Sequence, residues 1–228
     1  MTMKYKVVQQ LFPTALIVLI LFGAGGGTYY AYRVYGGDIA YYFYEQNTKH
    51  LSDFDTHKNY LRDAFRAIHK NPKDAQNYVD LGATQYGIQD YKNAEKNYLK
   101  ALELTPTASV VFWNVSHLYI QTKEYDKAEK YAKLAIERVP DKPLGYEALG
   151  ELYNYYLPAK QSELPKLYKT AYEKTRQSIF LLLEGGYYRD HSEPRKAVTA
   201  YQTWIALNPH EQNRSAVEAE IKQLEEKK

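Results

Sequence analysis

The chain has 228 residues, 45% of them hydrophobic and 25% charged, which is the composition of a folded domain or a short repeat array rather than a disordered chain. It contains no cysteine, which excludes disulfides, thiolate metal sites and a thiol nucleophile. Lys4, Lys6 and Arg33 account for the whole net charge of +3, so the rest of the chain is neutral and gives no basis for nucleic-acid binding.

Residues 1–6 read as a short basic N-terminus held in the cytoplasm. From Val7 to Tyr32 no residue is charged, and Lys6 and Arg33 close the run. About 20 apolar residues suffice to cross a bilayer as a helix, so 7–35 is expected to be a transmembrane helix. Tyr29, Tyr30, Tyr32 and Tyr35 would sit at the far interface, where aromatic rings collect. Basic residues lie mainly before the span, so the positive-inside rule keeps the N-terminus in the cytoplasm and exports the remainder. A cleaved signal peptide is the rival reading, with the small residues from Ala24 to Gly27 as the cleavage site. An uncleaved anchor is preferred because apolar and aromatic residues continue past the glycines. Gly23 and Gly27 form a GxxxG pair that can bring two membrane helices together, which makes a homo-oligomer one expectation; the alternative is that glycine is simply common in such helices.

Residues 36–74 read as a degenerate first helical pair, and 75–210 as a repeat array. Pro72, Pro106 and Pro140 are 34 residues apart, as are Ala67, Ala101 and Ala135. Tyr78, Leu81 and Gly82 recur two periods later as Tyr146, Leu149 and Gly150. Ala197, Tyr201 and Pro209 give a further copy one residue out of register. Small residues such as Gly82, Ala94 and Ala101 let helices approach, and Tyr78, Leu81, Tyr98 and Leu102 fill the space between them. The prolines fall where helices must stop. A segment from Pro158 to Pro165 displaces the second helix of the third unit. Residues 211–228 are expected to form a capping helix and charged tail: Val217, Ile221 and Leu224 make an apolar stripe, and Ser215 with Glu218 reads as a capping box.

The spacing and residue types resemble the tetratricopeptide repeat (TPR) family. The unit 75–106 carries Tyr78 for the usual tryptophan, then Leu81, Gly82, Ala94, Tyr98, Ala101 and Pro106. The next unit departs from the pattern at Ser116, where a glycine is usual, and at Ala132, where an aromatic is usual. The resemblance implies an all-α solenoid of about four to five helix pairs with a capping helix, behind one transmembrane helix. It also implies a partner-binding concave face on the first helix of each unit. That nominates Gln76, Val79, Ala83 and Tyr86, then Val110, Trp113, His117 and Ile120, then Glu147, Glu151 and Asn154. Trp113 and Tyr86 are the candidate anchors, with packing inside their own helix pairs as the alternative. The family's chaperone adaptors hold acidic tails with a clamp of lysine, arginine and asparagine. Here Val79, Ala83, Leu144 and Ala148 stand at four clamp positions and only Asn114 matches, which argues against such tails. A rather apolar groove with an acidic far side suggests a helix or extended apolar segment of a partner.

No catalytic, cofactor or metal motif stands out. His50, Asp53, Asp55 and His57 are close in sequence but lack the spacing of a metal site. Asp190, His191 and Ser192 read as a polar turn before Glu193 and Pro194 rather than as a triad. The expected function is therefore non-enzymatic: a single-pass scaffold of the inner membrane, its repeats in the periplasm, that binds membrane or envelope proteins and assists assembly of an envelope complex. Two alternatives remain at this point. One is a permanent structural subunit of a large envelope machine, and the other a cytosol-facing receptor on an organelle membrane.

Overall fold

A computed structural model of the chain describes residues 26–226, with side-chain surroundings from Tyr35 onward. The described residues form eleven helices and no strand. The chain divides into two compact units between Thr105 and Pro106.

The first unit holds α1 (Gly26–Thr48), α2 (Phe54–Lys70), α3 (Ala75–Gly87) and α4 (Tyr91–Leu104). The span expected over 7–35 lies outside the described residues up to residue 25. Its tail, 26–35, begins α1, which runs unbroken across the boundary expected at residue 36. Gly23 is likewise outside, and Gly27 lies in the first turn of α1. Among the described residues no helix is long and apolar enough to cross a membrane. What α1 does instead is pack on α2. A Cβ added at Gly37 would stand 2.5 Å from the Arg66 Cα, so this crossing requires glycine. Arg66 Nε donates to Asp38 Oδ1 at 2.7 Å beside it. Tyr41, Phe54, Leu61, Ala64, Leu81 and Ile88 form the core of the unit. The pair α3–α4 starts from two aspartate caps: Asp74 accepts from the Gln76 amide at 3.0 Å, and Asp90 from the Asn93 amide at 3.4 Å.

The second unit holds α5 (Ser109–Gln121), α6 (Tyr125–Arg138), α7 (Leu144–Glu151), α8 (Leu164–Thr175), α9 (Ile179–Asp190), α10 (Pro194–Leu207) and α11 (Arg214–Glu226). Successive helices pack on one another, and α5 also packs directly on α7, the arrangement of stacked helical hairpins. Between α7 and α8 the chain makes one π turn (Leu152–Tyr156) and a 3₁₀ turn (Pro158–Glu163). This is the insertion visible in sequence between Pro158 and Pro165. It is held by Glu129 on α6, whose carboxylate accepts from Tyr153 at 2.8 Å and from Lys160 and Lys133 at 2.6 Å.

An aromatic stands at every 34-residue step: Tyr78, Phe112, Tyr146 and Phe180. The two tyrosines each donate to the carbonyl six residues earlier, Tyr78 to Pro72 at 3.0 Å and Tyr146 to Pro140 at 3.1 Å. They thereby tie the start of one helix pair to the proline that ends the previous one. Glycine on the first helix faces tyrosine on the second in three pairs, Gly82 with Tyr98, Gly150 with Tyr168 and Gly185 with Tyr201.

The cap is present, but not as expected. Val217, Ile221 and Leu224 of α11 pack against Ala197, Tyr201 and Leu182, as their stripe predicts. Ser215, however, does not cap the helix. It lies inside α11, because the Asn213 carbonyl already accepts from the Val217 amide at 3.2 Å. Glu218 pairs instead with Arg214, Oε1 to Nε at 2.9 Å. A capping box needs its serine just before the first helical residue, whereas Ser215 is already the second residue of the helix.

Candidate protein-binding face

In the first unit the nominated residues line α3. Gln76 is exposed, its amide donating to Asp80 at 2.7 Å; Ala83 is exposed and Val79 half-buried. Tyr86 is half-buried and meets Tyr91 of α4 edge-on at 5.5 Å between ring centres. Its ring is thus partly used within its own helix pair.

In the second unit the nominated residues separate. Ile120 is buried at 3% exposure and belongs to the core, so it offers a partner nothing. Val110 is 48% exposed. Trp113 and His117, one turn apart on α5, meet with ring centres 4.0 Å apart and planes tilted by 36°. His117 Nε2 lies 3.2 Å from Glu151 Oε2 on α7, but the alignment is too poor for a hydrogen bond, and Nε2 has no partner among the described residues. Burial lowers the His117 pKa, against the pull of the Glu151 charge, and so disfavours the charged ring. One turn earlier on the same two faces lie Trp113 and Glu147. Glu147 is half-buried, and burial raises its carboxyl above the ordinary range. Asn154, in the π turn, is exposed.

Asn154 also edges a cleft of about 480 Å³ that the repeat pattern does not reveal. Tyr155, Tyr168, Leu183, Tyr187 and Val217 line it. Tyr155 is 72% exposed and Leu183 39%. A signal for it existed in Phe180, which keeps the 34-residue step into α9. Gly185 follows Gly150 by 35 residues, however, so the face slips by one position and a strict period does not carry Trp113 and Glu147 onward to α9. Among the described residues no group of histidines and acids could hold a metal. His50, Asp53, Asp55 and His57 do not converge on one.

Residues 75–107 and 110–142 each match the tetratricopeptide repeat. The chain contains tetratricopeptide repeats. It is 33% identical over 81 residues to small glutamine-rich tetratricopeptide repeat-containing protein 2 of Saccharomyces cerevisiae, covering 36% of this chain. It is 27% identical over 154 residues to the CTR9 homolog of Arabidopsis thaliana, covering 66% of this chain. The chain spans only 23% and 13% of the lengths of those two relatives. Among solved structures it resembles MamA 41-end from Desulfovibrio magneticus RS-1, with a TM-score of 0.52 at 15% identity over 77% of this chain and 97% of that one. TTC0263, a thermophilic TPR protein of Thermus thermophilus, gives 0.50 at 16% identity over 72% and 88%. At such identities these two share the fold and nothing further is carried over. Stacked repeats of this kind build extended concave surfaces of the sort that bind other molecules.

Proposed function

We propose that the chain is a membrane-tethered scaffold that binds a partner protein on the first-helix face of its repeats. The observation that carries this is the state of α5 and α7. Trp113, ring to ring with His117, and Val110 remain partly open on α5, which packs on the helix that carries Glu147 and Glu151, carboxylates without a lysine or arginine partner among the described residues. A large aromatic left half-covered between helices is the usual centre of a protein interface. The uncharged run of 7–32 supports tethering, which raises the local concentration of the repeats near membrane partners. The charge bias around that run supports export of the repeats and a role in assembling or stabilising an envelope complex of a bacterium.

Two measurements test the reading. Lys123 is exposed in the turn between α5 and α6, and the chain has no cysteine, so Lys123→Cys provides one reporter in a silent background. A membrane-impermeant maleimide is expected to label it in intact cells; labelling only after lysis would overturn the exported topology. A photo-crosslinking residue at Asn154 is expected to yield one discrete adduct with a partner protein in cells. The absence of any adduct from Asn154 and from Val110 would sink the docking face.

A further inference from the structure

We infer that the α5–α7 face receives a positively charged side chain, an arginine or lysine set among apolar residues in a segment of the partner protein. The inference deepens the docking reading above and rests on it. In the second unit the first helices α5, α7 and α9 carry Glu147, Glu151, Glu184 and Asp190 against Arg189 alone. Arg189 is already committed, to Asp190 at 2.7 Å and to Glu220 at 3.8 Å. Lys133 and Lys160 are both held by Glu129. The second helices have the opposite balance; α10 carries Arg195 and Lys196 and no acid.

Glu147 has no ion-pair or hydrogen-bond partner among the described residues. Among the described residues Glu151 is within ion-pair distance of His117 alone, a ring whose charged form burial disfavours. Two carboxylates one turn apart therefore lie on α7, the helix that packs on α5, with Glu151 at His117 and with no lysine or arginine partner for either among the described residues. An indole face attracts a cation through its quadrupole, and carboxylates beside it add charge and hydrogen-bond acceptors. A guanidinium has the flat shape and forked donors for both at once. The apolar Val110 on one side and the cleft of Tyr155 and Leu183 beyond Asn154 suit apolar residues flanking the cation. An acidic partner segment is excluded by the same charges, in keeping with the missing carboxylate clamp. Burial raises the Glu147 carboxyl, so an arriving cation relieves a desolvated charge and displaces no counter-ion.

The test uses the full chain in detergent and two short fluorescein-labelled peptides, one alternating arginine with leucine and one with citrulline in place of arginine. Citrulline keeps the shape and removes the charge. The arginine peptide is expected to bind at least about tenfold more tightly. Glu147→Gln with Glu151→Gln is expected to erase that preference and leave citrulline-peptide binding unchanged. Glu225→Gln with Glu226→Gln, at the exposed end of α11, is expected to preserve it. Equal binding of the two peptides, binding of neither, or a preference that survives the Glu147 and Glu151 changes would overturn the proposal. Concentration-dependent dimers lost in the Glu147 and Glu151 variant would also overturn it, by assigning the face to a second copy. The Asn154 crosslink separates the two levels. An adduct unaffected by the Glu147 and Glu151 changes leaves the docking face standing and removes only the cation. Loss of the adduct from the native chain removes both.

Discussion

Ser116 and Ala132 are where the second repeat breaks the pattern of its neighbours, and the structure explains both at once. In three pairs a glycine faces a tyrosine; here the larger serine faces the smaller alanine. Both are fully buried, and Ser116 Oγ donates to the Ala128 carbonyl at 3.0 Å. The serine takes up only part of the volume that the alanine gives up. Ala132→Tyr alone is expected to destabilise by about 1–3 kcal/mol through overpacking. Adding Ser116→Gly should recover part of that, with a coupling of about 1 kcal/mol in a double-mutant cycle followed by urea denaturation. Strict additivity would show that the two sites are independent. Glu129 is the second residue-scale case. Burial opposes its charge, but hydrogen bonds from Lys133, Lys160 and Tyr153 prevail and hold its carboxyl at about 2, against 4.5 for the free group. A depressed carboxylate contributes stability that is fully present above the unfolded pKa and is lost as pH falls through the folded one. The native chain should therefore lose stability between about pH 4.5 and 2 more steeply than Glu129→Gln. Indistinguishable acid titrations of the two by circular dichroism would remove Glu129 from the account.

Within the helix pairs that follow α1–α2, the turn between the two helices is a recurring device. Gln89, Lys123 and Ser192 each hold a left-handed backbone, with φ of 62°, 60° and 58°. In each case the next amide reaches back five residues: Asp90 to the Gln85 carbonyl, Glu124 to Tyr119 and Glu193 to Tyr188, at 2.8 to 2.9 Å. This is the Schellman closure, whose left-handed position favours glycine. Gln89→Gly and Lys123→Gly are each expected to stabilise the chain by about 0.5–1 kcal/mol, because relief of strain exceeds the added freedom of the unfolded chain. A lower melting temperature for both would contradict the assignment. The third pair departs from the device. The Leu157 amide still reaches Leu152 at 2.9 Å, but through the π turn and without a left-handed residue. An extra residue in the turn swings Tyr155 out to solvent, where π turns often serve a function.

For the molecule as a whole, the position of α1 decides how the chain can be cut. Because the described α1 begins at Gly26, a chain starting at residue 36 would sever it, whereas one starting at Gly26 retains it. The shorter protein beginning at Gly26 is expected to sediment as a folded monomer. Self-association or insolubility would favour a permanent subunit of an assembly over an adaptor. The same protein should lose affinity for its partner as ionic strength rises, since the face on α5 and α7 reads charge that is only partly buried.

The helical repeats are legible from the amino-acid order alone. The 34-residue spacing of prolines, alanines and aromatics is the imprint of a unit that must stop, turn and pack at fixed intervals, and local rules suffice to read it. The α11 stripe is legible for the same reason, being a helix-period pattern on one face. Its capping box is not, because Ser215 and Glu218 have the right spacing wherever the helix starts, and the start is set by how α11 meets α10. Which nominated residues are open to a partner depends on packing between distant parts of the chain. Ile120 and His117 are both on α5 with similar patterns around them, yet one is sealed in the core and the other borders Glu151. That difference comes from how α5 stacks against α7, a contact between residues a full repeat apart. The cleft at Tyr155 and Leu183 is hidden for a related reason: the register slips by one residue within α9, between Phe180 and Gly185, and a period read along the chain does not show which faces the slip brings together.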